Sequence, residues 1–231
     1  MIYASIVPDR FERVRRDVWH HARRMWESGL CVVSEGNVSR RADAEGRYIA
    51  ITPTSIPYAS MREDEIVIVE TTTRNAIDSS RKPSYEVPMH LAIYRARTDV
   101  GAIVHTHAPF ATTLSVLRRP LPPFIDEMMI TFGGSIAVAP YAFTGTDELG
   151  SAVVEALGNR NAALLSNHGN VCVGRDLEQA LEIAVVMEAC ARVYVQALQI
   201  GEPFMLPDTS VRDGRKLFED RLKAKSPFRG D

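Results

Sequence analysis

The sequence predicts a single α/β domain built on a mixed sheet. Three observations lead there. Stretches with helical periodicity alternate with short apolar, strand-like runs along the chain. No Gly-x-Gly-x-x-Gly turn joins a strand to a helix, which argues against a dinucleotide-binding fold. The 231 residues are enough to bury a sizeable core in one domain.

The elements follow in order. Pro8 to Ser28 reads as a helix, because Phe11, Val14, Val18, Trp19, Ala22 and Met25 recur at helical spacing, and Gly29 is a natural stop. His20 and His21 lie on this helix. Adjacent positions diverge by about 100 degrees, so the pair is assigned to packing or solvent. Cys31-Val-Val-Ser is expected as a short strand, followed by a tight turn at Glu35-Gly-Asn-Val-Ser-Arg. A second strand, Arg47-Tyr-Ile-Ala-Ile-Thr, ends in Pro53-Thr-Ser-Ile-Pro; hydroxyls and backbone amides there, with Asn37, can receive an anion.

A third strand spans Glu65 to Glu70, and a polar hairpin-like connection leads to Lys82-Pro-Ser-Tyr-Glu86. The helix after Ser84 turns Met89, Leu91, Ala92 and Tyr94 toward the core, with His90 as support or surface one turn beyond Glu86. Ala102-Ile-Val-His-Thr-His-Ala108 is the central strand, and Ala108 to Leu117 returns as a helix ended by Pro120-Leu-Pro-Pro. Phe124 to Thr131 fits neither period cleanly, and Ser135 to Ala139 is another strand.

Asp147 to Leu157 is a helix capped by Thr144 or Thr146, and strands Ala162–Ser166 and Val171–Val173 flank His168. The last strong helix, Leu177 to Ile200, starts at Asp176; its Glu188 and Arg192 are expected to pair. Residues 208–231 are charged and irregular and are expected as a mobile tail, so the domain is placed at 1–207.

Composition narrows function. A net charge of −2 without a basic block gives no sign of nucleic acid as a partner and leaves a small molecule as the expected one. The N-terminus makes a poor signal peptide, and no apolar run approaches the roughly 18 residues of a membrane span. Cys31, Cys172 and Cys190 are an odd, widely spaced set, which suggests reduced thiols and a cytoplasmic location.

The chemistry concentrates in three histidines and a carboxylate. His105 and His107, two residues apart on a strand, project from one face. His168 also closes an apolar run, in Leu164-Leu-Ser-Asn-His-Gly169, and Glu86 opens the helix preceding the pair. Three imidazoles can hold a cation such as zinc at about 2.0–2.1 Å and leave coordination positions open, which suits Lewis-acid catalysis rather than a closed structural site. A carboxylate desolvated beside them is expected to have its pKa raised toward working pH.

Gly36-Asn37-Val-Ser, Ile51-Thr-Pro-Thr-Ser-Ile-Pro-Tyr58, Pro83-Ser-Tyr-Glu86, His105-Thr-His107, Ala139-Pro-Tyr-Ala, Gly145-Thr and Asn167-His-Gly169 occur in this order. Over roughly residues 10 to 205 the chain thereby resembles the class II aldolase/adducin-head family, most nearly its L-fuculose-1-phosphate aldolase branch. The resemblance implies a three-layer α/β/α domain with a mostly antiparallel sheet and a cyclic homotetramer with its site between neighbours. It also implies zinc on His105, His107 and His168, with manganese or cobalt as alternatives, and Glu86 as acid/base. The implied reaction is retro-aldol cleavage of a ketose 1-phosphate to dihydroxyacetone phosphate and an aldehyde. A metal-dependent decarboxylase and a sugar-phosphate 4-epimerase are the alternatives on the same fold. The adducin head, an interaction module without the full metal site, is the alternative of another class.

Gly36, Asn37, Thr54 and Ser84 match the family's phosphate pocket, whereas Ser55 replaces a usual glycine and Tyr85 a usual serine. A phenol at 85 is expected to fill volume that a phosphate needs. Asp126 stands where the family places a tyrosine that reaches the leaving oxygen from a neighbouring subunit.

Overall fold

In the computed structural model, residues 10–77 and 79–224 are described. Seven strands among them form one sheet: β1 (Asn37–Arg41), β2 (Tyr48–Ile51), β3 (Val67–Glu70), β4 (Ala102–Thr106), β5 (Val138–Ala139), β6 (Ala162–Leu165) and β7 (Gly169–Gly174). Their order is β3-β2-β1-β4-β7-β6-β5. Every pairing is antiparallel except β5 with β6.

Alternate residues of these strands enter two separate apolar clusters. Tyr48, Ala50, Ile68, Ala102, Val104, Leu164 and Cys172 face one side. Ile49, Ile51, Val67, Val69, Ile103, Leu165, Val171 and Val173 face the other. A sheet apolar on both faces must be covered twice, which is why its strands read as continuous apolar runs. Helices α1 (Glu12–Glu27), α3 (Pro109–Val116), α4 (Asp126–Phe132) and α6 (Leu177–Ile200) supply the first cover. Helices α2 (Val87–Ala96) and α5 (Asp147–Leu157) supply the second. The expected three-layer α/β/α fold with a mixed, mostly antiparallel sheet is the one found.

Helix ends follow local chemistry. Thr146, rather than Thr144, caps α5 by accepting from the Leu149 amide, and Asp176 caps α6 through the Gln179 amide. The predicted start at Pro8 lies outside the described residues.

Several expectations are corrected. Cys31–Ser34 is not a strand; Val32 and Val33 are exposed, and the sheet begins at Asn37, where a turn was expected. Three apolar letters at 31–33 mimic a strand, while the Asn-Val-Ser-Arg-Arg of β1 owes its place to the neighbours that pair with it. Glu188 does not pair with Arg192: its two oxygens accept the Phe110 and Ala111 amides at 2.9 Å each. Those amides are the unsatisfied donors at the start of α3, so the carboxylate caps the helix that follows His107.

Residues 208–224 are α7, not irregular chain; Phe218 is buried against Gly133, and Met129 of α4 lies against Gly214. The rest of the expected tail, 225–231, lies outside the described residues. Helix α6 is long and apolar enough by length and composition to cross a membrane, although Glu178, Glu182, Glu188 and Arg192 break its apolar run. Its Ala180, Leu181, Ala184, Met187 and Ala191 are spent on the core.

Candidate metal centre

The site lies where β4 ends and β7 begins, beside the start of α2. His105 sits in β4 opposite Val171 and is on the same sheet face as Ile103, toward α2. Strand β4 ends at Thr106, so His107 stands one residue beyond it. His168 follows Asn167, whose φ of +56° turns the chain between β6 and β7; asparagine tolerates that conformation better than most residues. The Arg118 guanidinium donates to the Asn167 side-chain oxygen at 3.2 Å.

The three rings form a nearly equilateral triangle, with centroids 5.0, 4.8 and 5.0 Å apart and planes inclined by 70°, 74° and 70°. His105 Nδ1 lies 2.8 Å from the Asn170 carbonyl, to which it can only donate. Its Nε2, the nitrogen left to ligate a metal once it has given up its proton, lies 3.2 Å from His107 Nε2. Two nitrogens on one tetrahedral zinc stand about 3.3 Å apart, given bonds near 2.05 Å. The donor set therefore fits a divalent cation. His107 Nδ1 is held 3.5 Å from Glu35, a second contact that orients a ligand ring.

Glu86 closes the fourth side. Its Oε2 lies 2.9 Å from His105 Nε2 and its Oε1 3.4 Å from His168 Nε2. Asn37 Nδ2 donates to Oε2 at 2.8 Å, and the Thr144 hydroxyl donates to Oε1 at 3.1 Å. Burial pushes this carboxyl upward, but the His105 charge and hydrogen bond, then His168 and Asn37, outweigh it and hold it below the ordinary range. The expected rise is thus reversed, because the pocket that desolvates Glu86 is itself lined by imidazoles. Burial also lowers His105, and contact with Glu86 more than compensates. His107 falls to about 3 and His168 to about 4, both first through burial and then through His105, so each stays a neutral donor near pH 7.

The cleft over this centre holds about 540 Å³ and is lined by Gly36, Asn37, Thr54, Ser55, Ser84, Tyr85, Glu86, His107, Thr144, Gly145 and His168, among others. Ladder-like bonds from the Thr54 amide to the Lys82 carbonyl and from the Ser84 amide to the Thr52 carbonyl bring the two hydroxyl-bearing loops together. Gly36 adopts φ +71°, and a Cβ there would meet the His105 carbonyl at 2.5 Å, so only glycine fits. Ser55 has φ +58°, the backbone a glycine would supply, so the replacement keeps the loop's shape at some strain.

Tyr85 is at the rim with 72% of its surface exposed, so its phenol does not fill the cleft as expected. The Asn37 amide serves Glu86 and His90, leaving one N–H for a ligand. Asp126 is exposed at the first turn of α4 and is not part of the cleft within one chain. Sequence reasoning missed Thr144 as a Glu86 partner and Glu35 as a His107 partner. Neither has a periodic signal, since each sits in a loop that only the fold brings near.

An open three-histidine centre beside a buried carboxylate, at one edge of an α/β/α sandwich, defines a metal-dependent enzyme site. The sequence matches the Class II Aldolase and Adducin N-terminal domain family over residues 16–195, and the chain belongs to that family. It is 35% identical over 208 residues to the 5-deoxy-D-ribulose 1-phosphate aldolase of Bacillus thuringiensis serovar kurstaki, covering 90% of this chain and 96% of the relative. The 5-methylthioribulose-1-phosphate/5-deoxyribulose-1-phosphate aldolase of Rhodospirillum rubrum is 38% identical over 209 residues, covering 89% and 92%. A solved structure of an L-fuculose 1-phosphate aldolase superposes with a TM-score of 0.84 at 35% identity, covering 90% of this chain and 96% of the other. The chain is an enzyme of the class II aldolase type.

Proposed function

We propose that the protein cleaves a ketose 1-phosphate by retro-aldol reaction to dihydroxyacetone phosphate and an aldehyde, with zinc as the metal on His105, His107 and His168. The observation that carries the reading is the position of Glu86, whose two oxygens stand 2.9 and 3.4 Å from ligand nitrogens beside a cleft of about 540 Å³ that also presents the Thr54, Ser55 and Ser84 side chains. The names of the two relatives described above, both ketose 1-phosphate aldolases, support the substrate class.

When bound, a divalent cation supplies Lewis acidity that steadies negative charge on substrate oxygens in the transition state. The chain's own residues do the rest. The Thr54, Ser55 and Ser84 hydroxyls, the Asn37 amide N–H and the Gly36 loop backbone receive the phosphate. Glu86 handles the proton at the carbon left carrying charge when the C–C bond breaks, delivering it in cleavage and removing it in condensation. Asn37 and Thr144 hold the carboxylate in one orientation through both directions.

Asp126 meets the leaving oxygen from a neighbouring subunit in this reading. The exposed Val32, Val33, Tyr85 and Phe143 near the cleft support a homotetramer with shared sites. Buried, unpaired Cys31, Cys172 and Cys190 suit a reducing compartment, the cytoplasm.

A panel tests the reading: 5-deoxyribulose 1-phosphate and fuculose 1-phosphate, run beside aliphatic and aromatic keto-acids. Release of dihydroxyacetone phosphate from the sugars is expected. Turnover of the carboxylates alone overturns it in favour of a decarboxylase.

A further inference from the structure

Behind Glu86 runs a line of buried polar groups of which only Asn37 also faces the phosphate cleft; phosphate binding and metal ligation have no use for Ser39, His90 and Tyr94. Asn37 and Ser39 are two apart on β1 and share a face; Glu86, His90 and Tyr94 are spaced by four along one face of α2 and its cap. All five are buried, Ser39 and His90 completely. The contacts are continuous. Tyr94 OH lies 2.9 Å from Ser39 Oγ, Ser39 Oγ 2.6 Å from His90 Nδ1, and His90 Nε2 2.5 Å from Asn37 Oδ1. Asn37 Nδ2 then lies 2.8 Å from Glu86 Oε2.

Donor and acceptor rules give this line a single direction. The Glu86 carboxylate only accepts, so the NH₂ end of Asn37 must face it. The Asn37 oxygen is then turned to His90, which must donate from Nε2. His90 Nδ1 accepts from the Ser39 hydroxyl, and Ser39 in turn accepts from Tyr94. Every group donates toward Glu86, and reversing any link leaves two donors or two acceptors facing each other in a dry interior.

We propose that His90 is a positioning residue: fixed as its Nε2–H tautomer by Ser39 and Tyr94, it prevents the Asn37 amide from flipping and thereby holds Glu86 in its working orientation. The inference rests on the proton-handling role given to Glu86 above, but its physical half stands without it. Were Ser39 absent, His90 would be free to move its proton to Nδ1. Its bare Nε2 would then draw the Asn37 NH₂ and turn the amide oxygen toward the carboxylate.

Two measurements on the metal-loaded, full-length protein test this. The first is the solid-state ¹⁵N spectrum of histidine-labelled protein, with His90 assigned by its disappearance in His90→Gln. The native protein is expected to show one neutral Nε2–H tautomer for His90, and Ser39→Ala to show the Nδ1–H form appearing. A native Nδ1–H signal, or an unaltered spectrum in Ser39→Ala, overturns the proposal.

The second measurement is the kcat against KM split for ketose phosphate cleavage. Ser39→Ala is expected to lower kcat about tenfold, the worth of one hydrogen bond to a charged group, with KM and metal content nearly unchanged and the protein still folded at the assay temperature despite a lower melting temperature. His90→Gln, which can donate to Asn37 and accept from Ser39, is expected to retain more kcat than His90→Leu. Equal kcat in Ser39→Ala and the native enzyme, or losses that track metal content or unfolding, overturn it. If the native enzyme cleaved no sugar phosphate, the assigned reaction would fail while the spectra still decided the tautomer, so the two failures are told apart.

Discussion

Replacing Glu86 by glutamine separates the carboxylate's proton chemistry from its place in the structure. The neighbours define how the amide would sit. Asn37 Nδ2 is locked as a donor by His90 behind it, so the glutamine oxygen must take the Oε2 position. The new NH₂ then faces Thr144, whose hydroxyl now donates to Oε1 across 3.1 Å and can turn to accept instead. No buried donor is stranded, and the three imidazoles are untouched. The variant is therefore expected to fold and to hold its metal.

An amide cannot carry a proton to or from carbon at neutral pH, and general acid–base catalysis contributes about 10²- to 10⁴-fold. That range corresponds to about 2.7–5.5 kcal/mol of activation free energy. Turnover can be followed by coupling dihydroxyacetone phosphate release to a reductase, with metal measured by inductively coupled plasma mass spectrometry on the same preparation. Unchanged turnover in a metal-replete Glu86→Gln protein would remove the role given to this residue. Loss of metal with turnover would show that Glu86 is chiefly a ligand.

Three further outcomes follow from the local geometry. Gly36→Ala places a Cβ 2.5 Å from the His105 carbonyl at a φ of +71°; the backbone conformation alone costs about 1–2 kcal/mol, and β1 must shift against β4. Chemical denaturation should show that loss or more, with weaker metal retention, and a native-like midpoint would refute the clash. Ser55→Gly relieves a φ of +58° and is expected to raise stability by about 0.5–1 kcal/mol while leaving the cleft's shape intact; destabilisation would mean the hydroxyl contributes more than the strain. Acid should destabilise the fold through His90, whose pKa burial lowers to about 3, against about 6.5 in the unfolded chain. The unfolded state binds this proton first as pH falls, so stability present above about pH 6.5 is lost on the way down, about 2 kcal/mol of it by pH 5. In His90→Gln the denaturation midpoint should fall less steeply between pH 6.5 and 4, and an identical slope would contradict the assignment.

What the sequence determined by itself is what local pattern controls. The 24-residue run of α6 and the Asp147–Leu157 helix carry their own periodicity and caps, and β4 carries its own apolar run. The histidines and Glu86 were legible because a metal site needs particular atoms, and few residue types supply them. Tertiary structure decided whatever depends on a distant partner. β1 is polar and becomes a strand only between β2 and β4. Charged α7 gains its place from Phe218 and Gly214 packing near Gly133 and Met129. The lowered pKa of Glu86, the inward turn of Thr144 and the line from Tyr94 to Asn37 join residues up to 82 positions apart. Pattern within a segment reports backbone preference and burial, whereas hydrogen bonds and electrostatic fields are sums over neighbours that exist only once the sheet has closed.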